Sequence, residues 1–156
     1  MNISSIRDLL AEQIVLHDLH PADLDLLAGC GHNEFFDVGS FIAREDTPAN
    51  QFFIVREGRV ALEMHSPTGP LLMDTLGRGE LVGWSWLFPP YRWVFDVEVV
   101  EPTQAIVIDA ACLRSKCEAD TAFGYRLMKR FSRVIADRLQ STRVRLLDIY
   151  GGAHAG

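Results

Sequence analysis

Between residues 32 and 109, Gly, Pro, Asn or Asp breaks the chain about every ten residues, and the runs between the breaks are rich in Val, Ile, Leu and aromatic residues. Long helices do not tolerate such punctuation, because an interior Gly costs about 1 kcal/mol and an interior Pro about 3 kcal/mol. Short strands do tolerate it, since the breakers supply their turns. Strands are predicted over 33–38, 40–43, 51–57, 59–65, 71–75, 80–82, 93–99 and 104–108. Glu57-Gly58, between Phe52-Phe53-Ile54-Val55 and Val60-Ala61-Leu62, reads as a hairpin turn. Many short, evenly spaced strands indicate an antiparallel sandwich, barrel or roll.

Helical segments flank this zone. Ile6, Leu9, Leu10 and Ile14 recur at helix spacing after Ser4 or Ser5, either of which can cap a helix. Pro21 suits the first position of a second helix, over Pro21–Ala28, that Gly29 ends. Asp109 can cap a short helix over 110–118, and Asp120 the next, which runs to Tyr150 with Gly124 as its one Gly. Phe123, Leu127, Phe131, Ile135 and Leu139 step by four along it, and Leu146 continues the stripe. A helix of about 30 residues spans about 45 Å. That exceeds what a domain of this size covers alone, so the stripe predicts a homodimer through this helix. The expected class is α+β: N-terminal helices over 1–29, a β-domain over 30–109, C-terminal helices over 110–150, and a flexible tail over 151–156.

The 156 residues carry 21 acids and 15 bases, a net charge of −6, which argues against a nucleic-acid-binding surface as a whole. Arg126, Lys129, Arg130, Arg133, Arg138, Arg143 and Arg145 nevertheless concentrate in the last helix. They read either as a solvated helix face or as a surface facing a partner or a phosphate. No apolar run reaches the roughly 18 residues that cross a bilayer, and the N-terminus does not read as a secretory leader. Cys30, Cys112 and Cys117 lack a disulfide-type spacing, which suits reduced thiols in the cytoplasm. Cys30 and His32 find no second pair at zinc spacing, so no metal is expected. No nucleophile–base pair or phosphate loop stands out, and Asp96 and Glu98 read as a solvated strand face. An enzyme is not expected.

Two stretches narrow the fold. Residues 51–60 read QFFIVREGRV and residues 76–93 read LGRGELVGWSWLFPPYRW. Together they resemble the cyclic-nucleotide-binding domain of the catabolite-activator and Crp/Fnr sensor family. Asp137-Arg138-Leu139-Gln140-Ser141-Thr142 also resembles that family's central helix. The resemblance implies an antiparallel β-roll of the jelly-roll type. It also implies a regulatory module that takes a cyclic nucleotide or another small anionic ligand.

Carried over residue by residue, the resemblance puts Gly83 where the backbone approaches the phosphate, with Ser85 nearby in the pocket turn, and Arg92 at the phosphate arginine. Thr142, with Arg143 beside it, falls where the long helix meets the base. The family's ribose-binding Glu is Trp84 here, and the small residue after its arginine is Trp93. Sliding Glu80 into the acid's place leaves eleven residues before Arg92. An indole donates one hydrogen bond and accepts none, so it does not replace a carboxylate. Two readings follow. A flat or anionic ligand stacks on Trp84 or Trp93 and is held by Arg92, or Trp84, Trp86 and Trp93 fill a closed pocket in a dimerising interaction protein. The family's transcription factors add a helix-turn-helix domain of about 60 residues. Six residues follow Tyr150, so no DNA-binding domain is expected and output passes through a protein partner.

Overall fold

The computed structural model describes residues 5–153, with side chains described through Asp148. Ser5 caps α1 (Ile6–Ala11) in a reciprocal arrangement with Asp8. A 3₁₀ turn (Ile14–Leu16) leads to α2 (Pro21–Ala28). Six antiparallel strands follow: β1 (Gly31–Phe36), β2 (Phe41–Ala43), β3 (Gln51–Ser66), β4 (Gly69–Gly77), β5 (Leu81–Val82) and β6 (Asp96–Asp109). Asp109 accepts a hydrogen bond from Cys112 N and caps α3 (Ala110–Ala119); Asp120 accepts one from Phe123 N at the start of α4 (Thr121–Ala153). Helix α4 thus runs past Tyr150 through Gly151 and Gly152, and residues 154–156 of the expected tail lie outside the described residues.

β6 is the spine of the sheet, pairing with β1, β2 and β3, while β3 also pairs with β4 and β5. The expected hairpin at Glu57-Gly58 is not there. Residues 51–66 form one strand, and its hairpin turns where Ser66 faces Gly69. Gly58 instead sits at a register shift between β3 and β6, with φ +99°. A Cβ on it would lie 2.4 Å from the Pro102 carbonyl oxygen and 2.7 Å from Thr103 Cα, so only Gly lets the strands meet there. Pro102 has no N–H to give the ladder, and Thr103 Oγ1 donates to the Glu101 carbonyl at 2.8 Å beside it. The two breakers face each other and bend both strands together, so neither ends its strand.

The core lies between the roll and the helices. Phe52 stacks on Trp86 with centroids 4.8 Å apart, and Phe131 of α4 meets both edge-on at 5.4 and 5.8 Å. Phe123, Leu127 and Phe131 are buried by their own chain, which corrects their assignment to a dimer face. The first turns of α4 cover the roll that precedes them.

The basic run of α4 is largely internal stapling. Arg126 forks onto Asp23 of α2 at 2.7 and 2.8 Å, and Arg130 reaches Asp18 at 2.9 Å as well as the Val15 carbonyl. Asp23 is buried, and the hydrogen bonds from Arg126 hold its carboxyl below the usual range despite desolvation. A lowered pKa stabilises the fold above the unfolded value near 4 and is lost as pH falls through the folded value. Acid titration followed by circular dichroism therefore places the first loss of stability below about pH 4. Asp23→Asn removes part of that acid dependence; an unchanged profile would show that the fork contributes nothing.

Two further expectations change. Cys30 and Cys112 form a disulfide between the end of α2 and α3 across 82 residues of sequence, so they are not free thiols. Cys117 is the free cysteine, its thiol pushed up chiefly by burial. Asp96 is buried rather than on a solvated face, accepting from Glu45 N at 2.7 Å and facing His65 Nε2 at 3.1 Å.

Candidate functional site

The region that resembles the phosphate cradle starts where β5 ends. Leu81 and Val82 pair with Ile54 and Phe53, which fixes the position of Gly83 at φ +98°. Trp84 and a 3₁₀ turn (Ser85–Leu87) follow. The chain then reverses at Pro89-Pro90, and its return is stitched to the preceding loop. Ala49 N donates to the Tyr91 carbonyl at 2.7 Å, Trp93 N to the Thr47 carbonyl at 2.9 Å, and Asp46 N to the Trp93 carbonyl at 2.8 Å.

That stitching fixes Trp93 and Arg92 on opposite sides of the backbone. Trp93 points in, buried, with its ring stacked on Phe53 at 6.2 Å. Its indole covers the open face of Gly83, where a Cβ would lie 2.5 Å from the ring. What remains among Leu62, Gly83, Trp84, Ser85, Trp93, Phe95 and Arg138 is a void of about 10 Å³. That is the room of one water, not of a phosphate. Arg92 points out: its Nε donates to Asp46 Oδ1 at 2.9 Å and Nη2 to the Asp46 carbonyl at 2.6 Å. It lines neither this void nor the groove beside it. Glu80 closes its own turn by accepting from Gly77 N at 2.7 Å.

The open space lies next door, between β4 and α4. A groove of about 740 Å³ has Leu71, Leu72 and Met73 of β4 on one wall and Ile135, Leu139, Thr142 and Leu146 of α4 on the other. Its floor is Leu62, Trp84 and Phe95. Its size lies within the range of small-molecule sites. Ile135, Leu139 and Leu146, expected at a dimer seam, line the helix side of this groove, with Leu139 and Leu146 about half-exposed. Thr142 faces the groove, and its Oγ1 donates back to the Arg138 carbonyl at 3.0 Å. Arg143 does not line it.

The cation where void and groove meet is Arg138; Arg145, paired with Asp74, lines the groove further along α4. The Arg138 guanidinium lies 5.1 Å from the Trp84 ring centroid and donates to the Leu81 carbonyl, and it borders both the void and the groove. Desolvation pulls its pKa down, against the pull of Glu80 and Asp74. One signal for it was in the sequence: Arg138 precedes Thr142 by four residues and shares its helix face. The other, that β5 ends beneath that face, needs the fold.

A β-roll closed by a long helix, with a cleft where roll and helix meet, is the architecture these residues build. The sequence model described as the cyclic nucleotide-binding domain matches residues 33–120, and the chain belongs to that family. Among solved structures it is similar to a protein from Geobacter metallireducens described as cyclic nucleotide-binding, at 25% identity and a TM-score of 0.77, covering 88% of this chain and 99% of that one. The sensor domain of the transcriptional regulator DNR from Pseudomonas aeruginosa aligns at 18% identity and a TM-score of 0.68, over 86% of this chain and 91% of that one. The regulatory domain of Toxoplasma gondii PKA with cAMP aligns at 18% identity and a TM-score of 0.66, over 82% and 49% of the two chains. No curated protein matches the sequence. No helix among the described residues is long and apolar enough to cross a membrane.

Proposed function

We propose that this chain is a regulatory small-ligand sensor whose effector site is the β4–α4 groove, with cyclic-nucleotide specificity weakened by a filled phosphate cradle. One observation carries the reading: the Trp93 indole lies on Gly83 and leaves room for a single water. Loss of the ribose carboxylate acts in the same direction, since a hydrogen bond to a charged group contributes about 1.5–3 kcal/mol. Thermal melting tests this. A ligand present at 100 times its Kd stabilises by about 2.7 kcal/mol, or roughly 5–10 °C in a domain of this size. Cyclic AMP and cyclic GMP at about 1 mM are expected to move Tm by less than about 1 °C. A shift above about 5 °C overturns the reading.

Output passes, in this reading, to a protein partner in the cytoplasm. The chain pairs with a second copy through the far side of α4. The groove takes the face that holds Ile135, Leu139, Thr142 and Leu146. This leaves Gln140, Val144 and Leu147 on the other face, with Leu147 71% exposed. Light scattering at micromolar concentration is expected to give twice the chain mass, and Leu147→Asp to give the monomer. A wild-type monomer contradicts the pairing.

A further inference from the structure

We infer that the β4–α4 groove takes a soluble amphipathic monocarboxylate, its carboxylate held by Arg138 and its apolar body lying between Leu72 and Leu139. The inference rests on the groove being the effector site and adds the chemical class of what fills it. The walls are mainly aliphatic and aromatic, with Arg138, Thr142 and the Arg145–Asp74 pair as their polar groups, so a heavily hydrated ligand such as a sugar phosphate would leave most of its polar groups unpaired there. Arg138 makes no ion pair among the described residues, whereas Arg126, Arg130 and Arg145 of the same helix each meet a carboxylate. Of its five N–H donors, one hydrogen bond goes to the Leu81 carbonyl and the flat face lies over Trp84. A half-buried guanidinium with spare donors, touched by no carboxylate and drawn by Glu80 and Asp74 only from a distance, is complementary to one carboxylate attached to a hydrocarbon.

The groove is also framed for a small molecule rather than a second protein chain. Arg138 ties α4 to β5 through the Leu81 carbonyl. Seven residues further along, Arg145 ties α4 to Asp74 of β4 at 3.4 Å. These ties hold the helix wall and the sheet wall of the groove at a fixed spacing.

Isothermal titration of the full chain with octanoate and with 1-octanol, both below their aggregation limits, tests the class. Octanoate is expected to bind saturably, one per chain, and at least about tenfold more tightly than octanol, the effect of a charge-assisted hydrogen bond. Arg138→Gln removes that preference and leaves octanol unchanged. Leu72→Glu, at an exposed strand position, sets a charge against the hydrocarbon and weakens octanoate and octanol alike; octanol binding unchanged by it overturns the placement of the apolar body. Equal binding of octanoate and octanol overturns the carboxylate assignment while leaving the groove an effector site. Binding of neither overturns the inference. A parallel titration with cyclic AMP then tells whether the effector-site reading falls too, since saturable micromolar binding there contradicts the filled cradle.

Discussion

Gly83→Ala lowers the stability of this domain by about 2–6 kcal/mol and Tm by roughly 5–20 °C, far more than one added methyl usually costs. Two penalties combine. At φ +98° an L-residue sits in a region that costs about 1–3 kcal/mol. The new Cβ would also lie 2.5 and 2.7 Å from two ring carbons of Trp93, and overpacking costs about 1–3 kcal/mol. The ring cannot step aside, because it stacks on Phe53 and its backbone is pinned to Thr47 and Asp46. Trp93→Leu gives the methyl room. The double variant Gly83→Ala/Trp93→Leu is therefore less destabilised than the sum of the singles, with a coupling of about 0.5–3 kcal/mol in urea melts. Strict additivity would show that Trp93 does not occupy the glycine's open face.

Phe131→Ala costs about 3–5 kcal/mol, the range for a fully buried Phe. Phe131 closes a three-ring cluster with Phe52 and Trp86, and edge-on pairs add to the burial of the ring. All three rings belong to one chain. The loss must therefore persist in the Leu147→Asp monomer, whereas a residue of a dimer seam would lose its effect there. A loss below about 1 kcal/mol, or one that vanishes in the Leu147→Asp monomer, would return Phe131 to a subunit interface.

Much of this fold is legible in the sequence because its signals are local. Asp109 and Asp120 announce helix starts, Pro21 opens α2, and the pattern of breakers marks the antiparallel zone. Gly58 and Pro102 mislead for a physical reason. Each looks like a strand end alone, and only their opposition across β3 and β6 turns them into a shared bend. The disulfide is hidden likewise, since Cys30 and Cys112 lie 82 residues apart and the fold brings them together. The four-step stripe of α4 is visible, but not that the roll takes its first half and the groove part of its second.

In the site, the departures were legible and their replacement was not. Trp84 and Trp93 stand out as indoles where the resemblance calls for a carboxylate and a small residue. Arg92 matches the expected position, yet Asp46 takes its guanidinium at the surface. That diversion depends on the loop at 46–49 pairing with 91–93, a contact between stretches 45 residues apart or so in sequence. Arg138 reads as one more member of a basic run until α4 is laid beside β5. The family is carried by the scaffold; the shape and charge of the cleft are set by which face of the backbone each Arg and Trp takes.

Isothermal titration with cyclic AMP tests the filled cradle most directly. The account predicts no saturable heat up to about 1 mM, a binding free energy weaker than about −4 kcal/mol. Saturable one-to-one binding at micromolar Kd, unaffected by Arg138→Gln and abolished by Arg92→Gln, would mean that Trp93 yields and Arg92 turns inward, and would contradict it.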